Sequence, residues 1–124
     1  MSPRLILRKY RRLLIAQLLL ILSLPAIAQN FPDKPIRIIV TTPAGSGVDA
    51  IARALAQGMS EIAHQQVIVE NKAGAGGIIG ATALANANPD GYTIGIAATA
   101  HTVAPLLQAK PAYHPLQDFT PIGP

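Results

Sequence analysis

A strand that runs through a glycine-bearing loop into a helix constrains this chain more than any other feature. Residues 36–49 read IRIIVTTPAGSGVD. Ile36, Ile38, Ile39 and Val40 are β-formers. Residues 41–47 are a short loop of Thr, Pro, Ala, Gly and Ser, and Asp49 opens an amphipathic pattern. A helix start presents unpaired N–H groups and the positive end of the macrodipole. Gly45 and Gly47 let the backbone approach a ligand closely, and Thr41, Thr42 and Ser46 add hydroxyls. The physical expectation is an anion site, for a carboxylate or a phosphate. A purely structural connection between strand and helix accounts for the same local pattern.

Before this unit, residues 1–28 read as a secretory signal peptide. Arg4, Arg8, Lys9, Arg11 and Arg12 make a basic start, and residues 13–24 are apolar except for Gln17 and Ser23. Pro25 breaks the helix, and Ala26-Ile27-Ala28 is a small-x-small cleavage site. Those twelve residues are short against the roughly 20 needed to span a bilayer. The expectation is export with cleavage after Ala28. The formal charge of +4 owes its sign to this leader. From Gln29 onward there are five basic and six acidic residues, a net charge of −1. The body therefore lacks the basic footprint of a nucleic-acid binder. Without cysteine there is no disulfide framework, thiol nucleophile or cysteine metal site.

After an extended Pro-containing lead-in, residues 31–35, the first strand covers 36–40. Helix one covers about 48–63, with an apolar set of Val48, Ile51, Ala52, Leu55, Met59 and Ile62 at spacings that place one stripe against a sheet. Arg53, Gln57 and Glu61 fall on the other face, read as solvated, and His64 falls at the helix end. Residues 67–71, VIVEN, form strand two. Residues 72–77, KAGAGG, form a second glycine loop, and 78–87 a short helix. Asn88-Pro89-Asp90-Gly91 is a turn. Residues 92–98 form strand three, 99–102 a polar loop and 103–108 a short helix, and 120–124 begin a further strand.

Strands alternating with helical patterns predict an α/β fold in β-α-β-α-β order, with a mostly parallel sheet flanked by helices. In such open sheets ligands bind outside the carboxyl ends of the strands. Three polar loops fall there: 41–47, 72–77 and 99–102. Their convergence favours a ligand site over a structural connection. Lys72 and Arg37 are the cations nearest that region, and Arg37, alternating with apolar neighbours, also reads as an exposed strand end.

The alternatives are weaker. A G-x-G-x-x-G fingerprint in the second loop would need glycines at 74, 76 and 79, and position 79 is Ile79. No Walker pattern is present. His64, His101 and His114 are scattered without metal-ligand spacing. Ser46 has no evident base and no nucleophile elbow around it. A small α/β enzyme with a phosphate or nucleotide site is thus the lesser reading, and no cofactor or metal is expected.

The run Phe31-Pro-Asp-Lys-Pro-Ile-Arg-Ile-Ile-Val-x-x-Pro-Ala-Gly-Ser-Gly-Val-Asp-x-x-Ala-Arg resembles the opening of the mature tripartite tricarboxylate transporter substrate-binding proteins, the Bug family. Val67-Ile-Val-Glu-Asn-Lys-Ala-Gly-Ala-Gly-Gly-x-x-Gly resembles their second block, and Asn88-Pro-Asp-Gly-Tyr-Thr-Ile and Asp118-Phe-Thr-Pro-Ile resemble later ones. The resemblance implies a periplasmic-binding-protein-like lobe of a two-lobe receptor. Such a receptor captures a small carboxylate (a di- or tricarboxylate, an amino acid or an aromatic acid) and hands it to an integral-membrane permease. It implies binding rather than catalysis, and a monomer. The ligand loops it implies are Pro43, Ala44, Gly45, Ser46, Gly47 and Asp49; Ala73, Gly74, Ala75, Gly76 and Gly77; and Thr99, Ala100 and His101. The first loop departs from the family's usual Phe-Pro-Pro-Gly-Gly type, having Thr42-Pro43-Ala44-Gly45-Ser46-Gly47. Family members are much longer. Residues 29–124 are therefore expected to be a partial first lobe with the second lobe missing. A truncated, non-functional product with poor stability and weak binding is the companion expectation.

Overall fold

The structure, a computed structural model, describes residues 31–123, and the leader read at 1–28 lies outside the described residues. Three strands form one parallel sheet in the order β2-β1-β3: β1 (Ile36–Val40), β2 (Val67–Asn71) and β3 (Thr93–Ile96). β1 holds the centre because it is almost continuously apolar, as a strand buried on both faces must be. Ile36, Ile38, Ile39 and Val40 are all buried. Its partners align Ile38 with Val69 and Ile94, and Val40 with Asn71 and Ile96.

The period of two gives the sheet two unlike faces. Ile38 and Val40, flanked by Val67, Val69, Ile94 and Ile96, pack against α1 (Gly47–Ala63) through Val48, Ala52, Ala56 and Met59. Small alanines at positions 52 and 56 bring the helix close to the sheet. This corrects the expected stripe. The spacing puts Ile51, Leu55 and Ile62 on the sheet side, yet they are 65%, 44% and 85% exposed. The helix carries more apolar surface than one sheet face covers, and its alanine side wins the contact. The helix ends at His64, which takes the left-handed conformation at φ 51°.

The opposite face carries α2 (Ile78–Ala85), which packs on β3 and β1. Gly80 permits that approach. A Cβ there would lie 2.6 Å from the Lys72 carbonyl oxygen and 3.1 Å from Thr41 Cα. Both are backbone atoms, which cannot swing aside. Gly80→Ala is therefore expected to destabilise the domain by about 1–3 kcal/mol, as overpacking does. A lowered midpoint in urea at unchanged m-value checks it.

The last third of the chain departs most from expectation. β3 is shorter than the predicted 92–98. Residues 99–102 are not a free loop, because α3 (Ala100–Val103) forms there and passes into a 3-10 turn, Ala104–Leu107. Pro105 stands in the first turn of that element, where its missing N–H leaves no gap. Residues 120–123 form no strand.

Candidate functional site

The three predicted loops leave the carboxyl ends of β1, β2 and β3, and the fold brings them together. Thr41, at the end of β1, is buried. Its N–H reaches the Ile96 carbonyl of β3 at 3.4 Å. Its side chain lies where a Cβ on Gly77 would be 3.5 Å away, so the first and second loops touch. α3 packs against the 3-10 turn Ala75–Gly77 of the second loop.

The first loop is shaped by its own hydrogen bonds. Ser46 is the N-cap of α1 in an extended conformation, and its Oγ accepts from the Asp49 N–H at 3.2 Å. The same Oγ lies 2.8 Å from Thr42 Oγ1. The first turn of a helix leaves N–H groups without intrahelical acceptors. With the Asp49 N–H taken by Ser46, the N–H groups of Gly47 and Val48 remain at the helix mouth. Pro43, Ala44, Gly45 and Gly47 are exposed and Ser46 is half-buried.

Asp49 behaves differently from the rest of the predicted set. It is 3% exposed, and both carboxylate oxygens are occupied. Oδ2 accepts from the Gly45 N–H at 2.8 Å and from Arg53 Nε at 3.0 Å. Oδ1 accepts from Asn71 Nδ2 at 2.9 Å. Asn71 also donates to the Thr42 carbonyl at 3.2 Å and accepts from Arg53 Nη2 at 3.2 Å. The carboxylate thus ties the loop to α1 and to the end of β2. Arg53 first, then the Gly45 N–H and Asn71, lower its pKa to about 2. Asp49 holds the loop, buried and with each carboxylate oxygen already accepting a hydrogen bond from the protein. Arg53, which the sequence places on a solvated face, belongs to this network, as does Asn71. The i,i+4 spacing of Asp49 and Arg53 was the available signal; Asn71 gave none.

The second loop is held in an unusual backbone. Gly74, Ala75, Gly76 and Gly77 have φ of 128°, 48°, 67° and 92°. Four successive residues at positive φ demand glycine at nearly every step, and Ala75 is the exception. Ala73, Gly74, Ala75 and Gly76 are exposed, and Gly77 is half-buried as the N-cap of α2.

The two expected cations separate. Lys72 stands where the second loop begins, and its Nζ lies 2.9 Å from Glu70 Oε1. Arg37 is near the start of β1, away from the loops, within 3.6 Å of Glu70 and 3.4 Å of Thr93 Oγ1. It is not a ligand-side group. Lys72, with Arg37 behind it, lowers the Glu70 pKa. The groups at this end of the sheet that could attract an anion are therefore chiefly backbone N–H groups. In the third segment Thr99 and Ala100 are exposed, and His101 is half-buried with its ring against Tyr113 and Phe119. Phe119 falls in the Asp118-Phe-Thr-Pro-Ile block, and Tyr113 in none of the family-like motifs. His114 is exposed, and its Nδ1 accepts from the N–H groups of Leu116 and Gln117 at 3.3 and 3.2 Å. Among the described residues no three His, Asp or Glu side chains gather as a metal site would require.

Residues 51–124 match the family model described as the tripartite tricarboxylate transporter family receptor. A UPF0065 protein of Bordetella bronchiseptica is 45% identical over 116 residues, covering 92% of this chain and 35% of that protein. The solved periplasmic binding protein BugD is 43% identical with a TM-score of 0.71, over 75% of this chain and 31% of its own. MatC of Rhodopseudomonas palustris, solved with bound malate, is 36% identical with a TM-score of 0.68, over 74% of this chain and 32% of its own. The chain spans about a third of the length of these relatives. The parallel sheet flanked by helices is a periplasmic-binding-protein-like lobe. With more than half of its residues under the family model and these likenesses beside it, the chain belongs to the tripartite tricarboxylate transporter receptor family.

Proposed function

We propose that this lobe forms one wall of a periplasmic solute receptor that binds a small carboxylate and delivers it to a tripartite tricarboxylate-type membrane permease. The observation that carries the reading is the open mouth of α1, where the Gly47 and Val48 N–H groups have no intrahelical acceptor, on a first loop whose Thr41 touches the exposed second loop. A carboxylate accepts from backbone N–H groups at a helix start and complements the macrodipole. Ser46, Gly45, residues 73–77 and residues 99–101 line the same end of the sheet. Asp49 acts from beneath as a positioning residue. The malate bound by MatC supports the ligand class. Residues 1–28 act as a leader cleaved after Ala28, the receptor works as a monomer, and it holds its solute without transforming it.

Amide spectra of the 15N-labelled chain titrated with malate test this. The expected result is saturable shifts confined to Gly45, Gly47, Val48, residues 73–77 and residues 99–101. Succinamide, which has the same span without charge, should cause none. Shifts scattered over the surface, or equal responses to both compounds, would sink the reading.

A further inference from the structure

The His101 ring is held by two residues that lie well beyond the three loops. Tyr113 stacks on it, with centroids 5.1 Å apart and planes 11° from parallel. Phe119 meets it edge-on at 4.6 Å and 79°. Tyr113 and Phe119 also meet each other at 5.6 Å, which closes the three rings into one cluster. The Tyr113 hydroxyl donates to the His101 carbonyl at 2.8 Å, and Tyr113 is itself buried. Stacked and edge-to-face contacts of this kind fix ring orientation as well as adding contact.

Within the cluster, His101 Nδ1 is buried without a hydrogen-bond partner, and Nε2 is not buried in this way. A proton on Nδ1 would be an orphaned buried donor, which folded proteins rarely tolerate. A bare ring lone pair there is the lesser penalty. The proton then belongs on Nε2, the nitrogen left to meet a ligand or water. α3, which carries His101, packs against Ala75–Gly77, so this donor is supplied from beside the second loop.

We propose that Tyr113 and Phe119 are positioning residues that clamp the His101 imidazole as its Nε2–H tautomer, so that Nε2–H donates to the ligand carboxylate. A ring fixed this way offers a donor and no acceptor, which selects a carboxylate oxygen over an amine or hydroxyl hydrogen. The proposal rests on the carboxylate-binding reading of the loops.

Long-range 1H–15N spectra of the imidazoles, with and without malate, test it, His101 being assigned by its loss in His101→Gln. In the unsubstituted chain Nδ1 should resonate as a pyridine-type nitrogen and Nε2 as a pyrrole-type nitrogen, and malate should move Nε2. Tyr113→Leu and Phe119→Leu should each mix the tautomers and weaken malate several-fold. Tyr113→Phe, which keeps the ring, should preserve the tautomer. A proton on Nδ1, or an unaltered tautomer in whichever leucine variant folds, overturns the clamp. Malate shifts at Gly45 and Gly47 with His101 Nε2 unmoved overturn the donor role and leave the carboxylate reading standing. Malate moving none of these groups overturns that reading instead, while the tautomer still decides the clamp.

Discussion

Ile38→Ala is expected to lower stability by about 2–5 kcal/mol. Ile38 is fully buried at the centre of the central strand, between Val69 and Ile94, under Ala52 and Ala56. Truncation removes its transfer free energy and leaves a cavity that its neighbours, held in a three-strand ladder, cannot collapse to fill. Against a typical total of about 5–15 kcal/mol, that is a large share. Ile62→Ala is the matched control. The same atoms are removed from a position 85% exposed, and the change should stay within about 0.5 kcal/mol. Urea titrations of both variants check the pair. Similar losses in the two would mean that Ile62 is buried in solution and that the outward stripe of α1 is covered.

The second large effect is expected at Asp49. Its carboxylate pKa is about 2 in the fold against an ordinary value of 3.8, and Arg53, the Gly45 N–H and Asn71 cause the drop. Because the folded value is the lower one, folding favours the ionised form. The resulting stability is complete above the unfolded pKa and is lost as pH falls from about 4 through about 2. Asp49→Asn removes this contribution at neutral pH and flattens the dependence over that interval. Glu70 and Asp90, also lowered by their lysine partners, supply the slope that remains. The variant should also bind malate on the order of tenfold or more weakly, since loosening the loop misplaces the helix mouth. Denaturant midpoints across the acid range, with malate titration at neutral pH, check both parts. An acid slope unchanged by the substitution would remove Asp49 from the account.

Strong local patterns in this sequence were legible. The run 36–40 reads as the first strand because nearly every residue is apolar and β-branched, and it is one; its place at the centre of the sheet came from the fold. The β-α-β order and the two glycine loops follow from punctuation by Gly, Pro and Asn that few other structures allow. The outward orientation of Ile51, Leu55 and Ile62 was not legible. Periodicity identifies a helix but does not say which of two adjacent apolar stripes meets the sheet, and here small side chains decided it. The role of Asn71 was hidden for a different reason. It depends on parallel pairing that sets the end of β2 beside the end of β1, a contact between residues 42 and 71 that no short window contains. Tyr113 and Phe119 lie in an irregular, proline-bearing stretch with no period, so nothing local announced that they surround His101.

The knot of Asp49, Arg53 and Asn71 bears on how such a half-site moves. It fastens the first loop to a helix and to a strand end at once, so those parts travel as one body. On the proposed reading, a ligand arriving at the mouth of α1 would meet a surface already tied in place. The freedom of residues 42–49 was surrendered when the chain folded and is not lost a second time on binding. On the proposed receptor reading, any rearrangement that traps a solute would then come from what closes over this wall, with the wall itself serving as the fixed jaw.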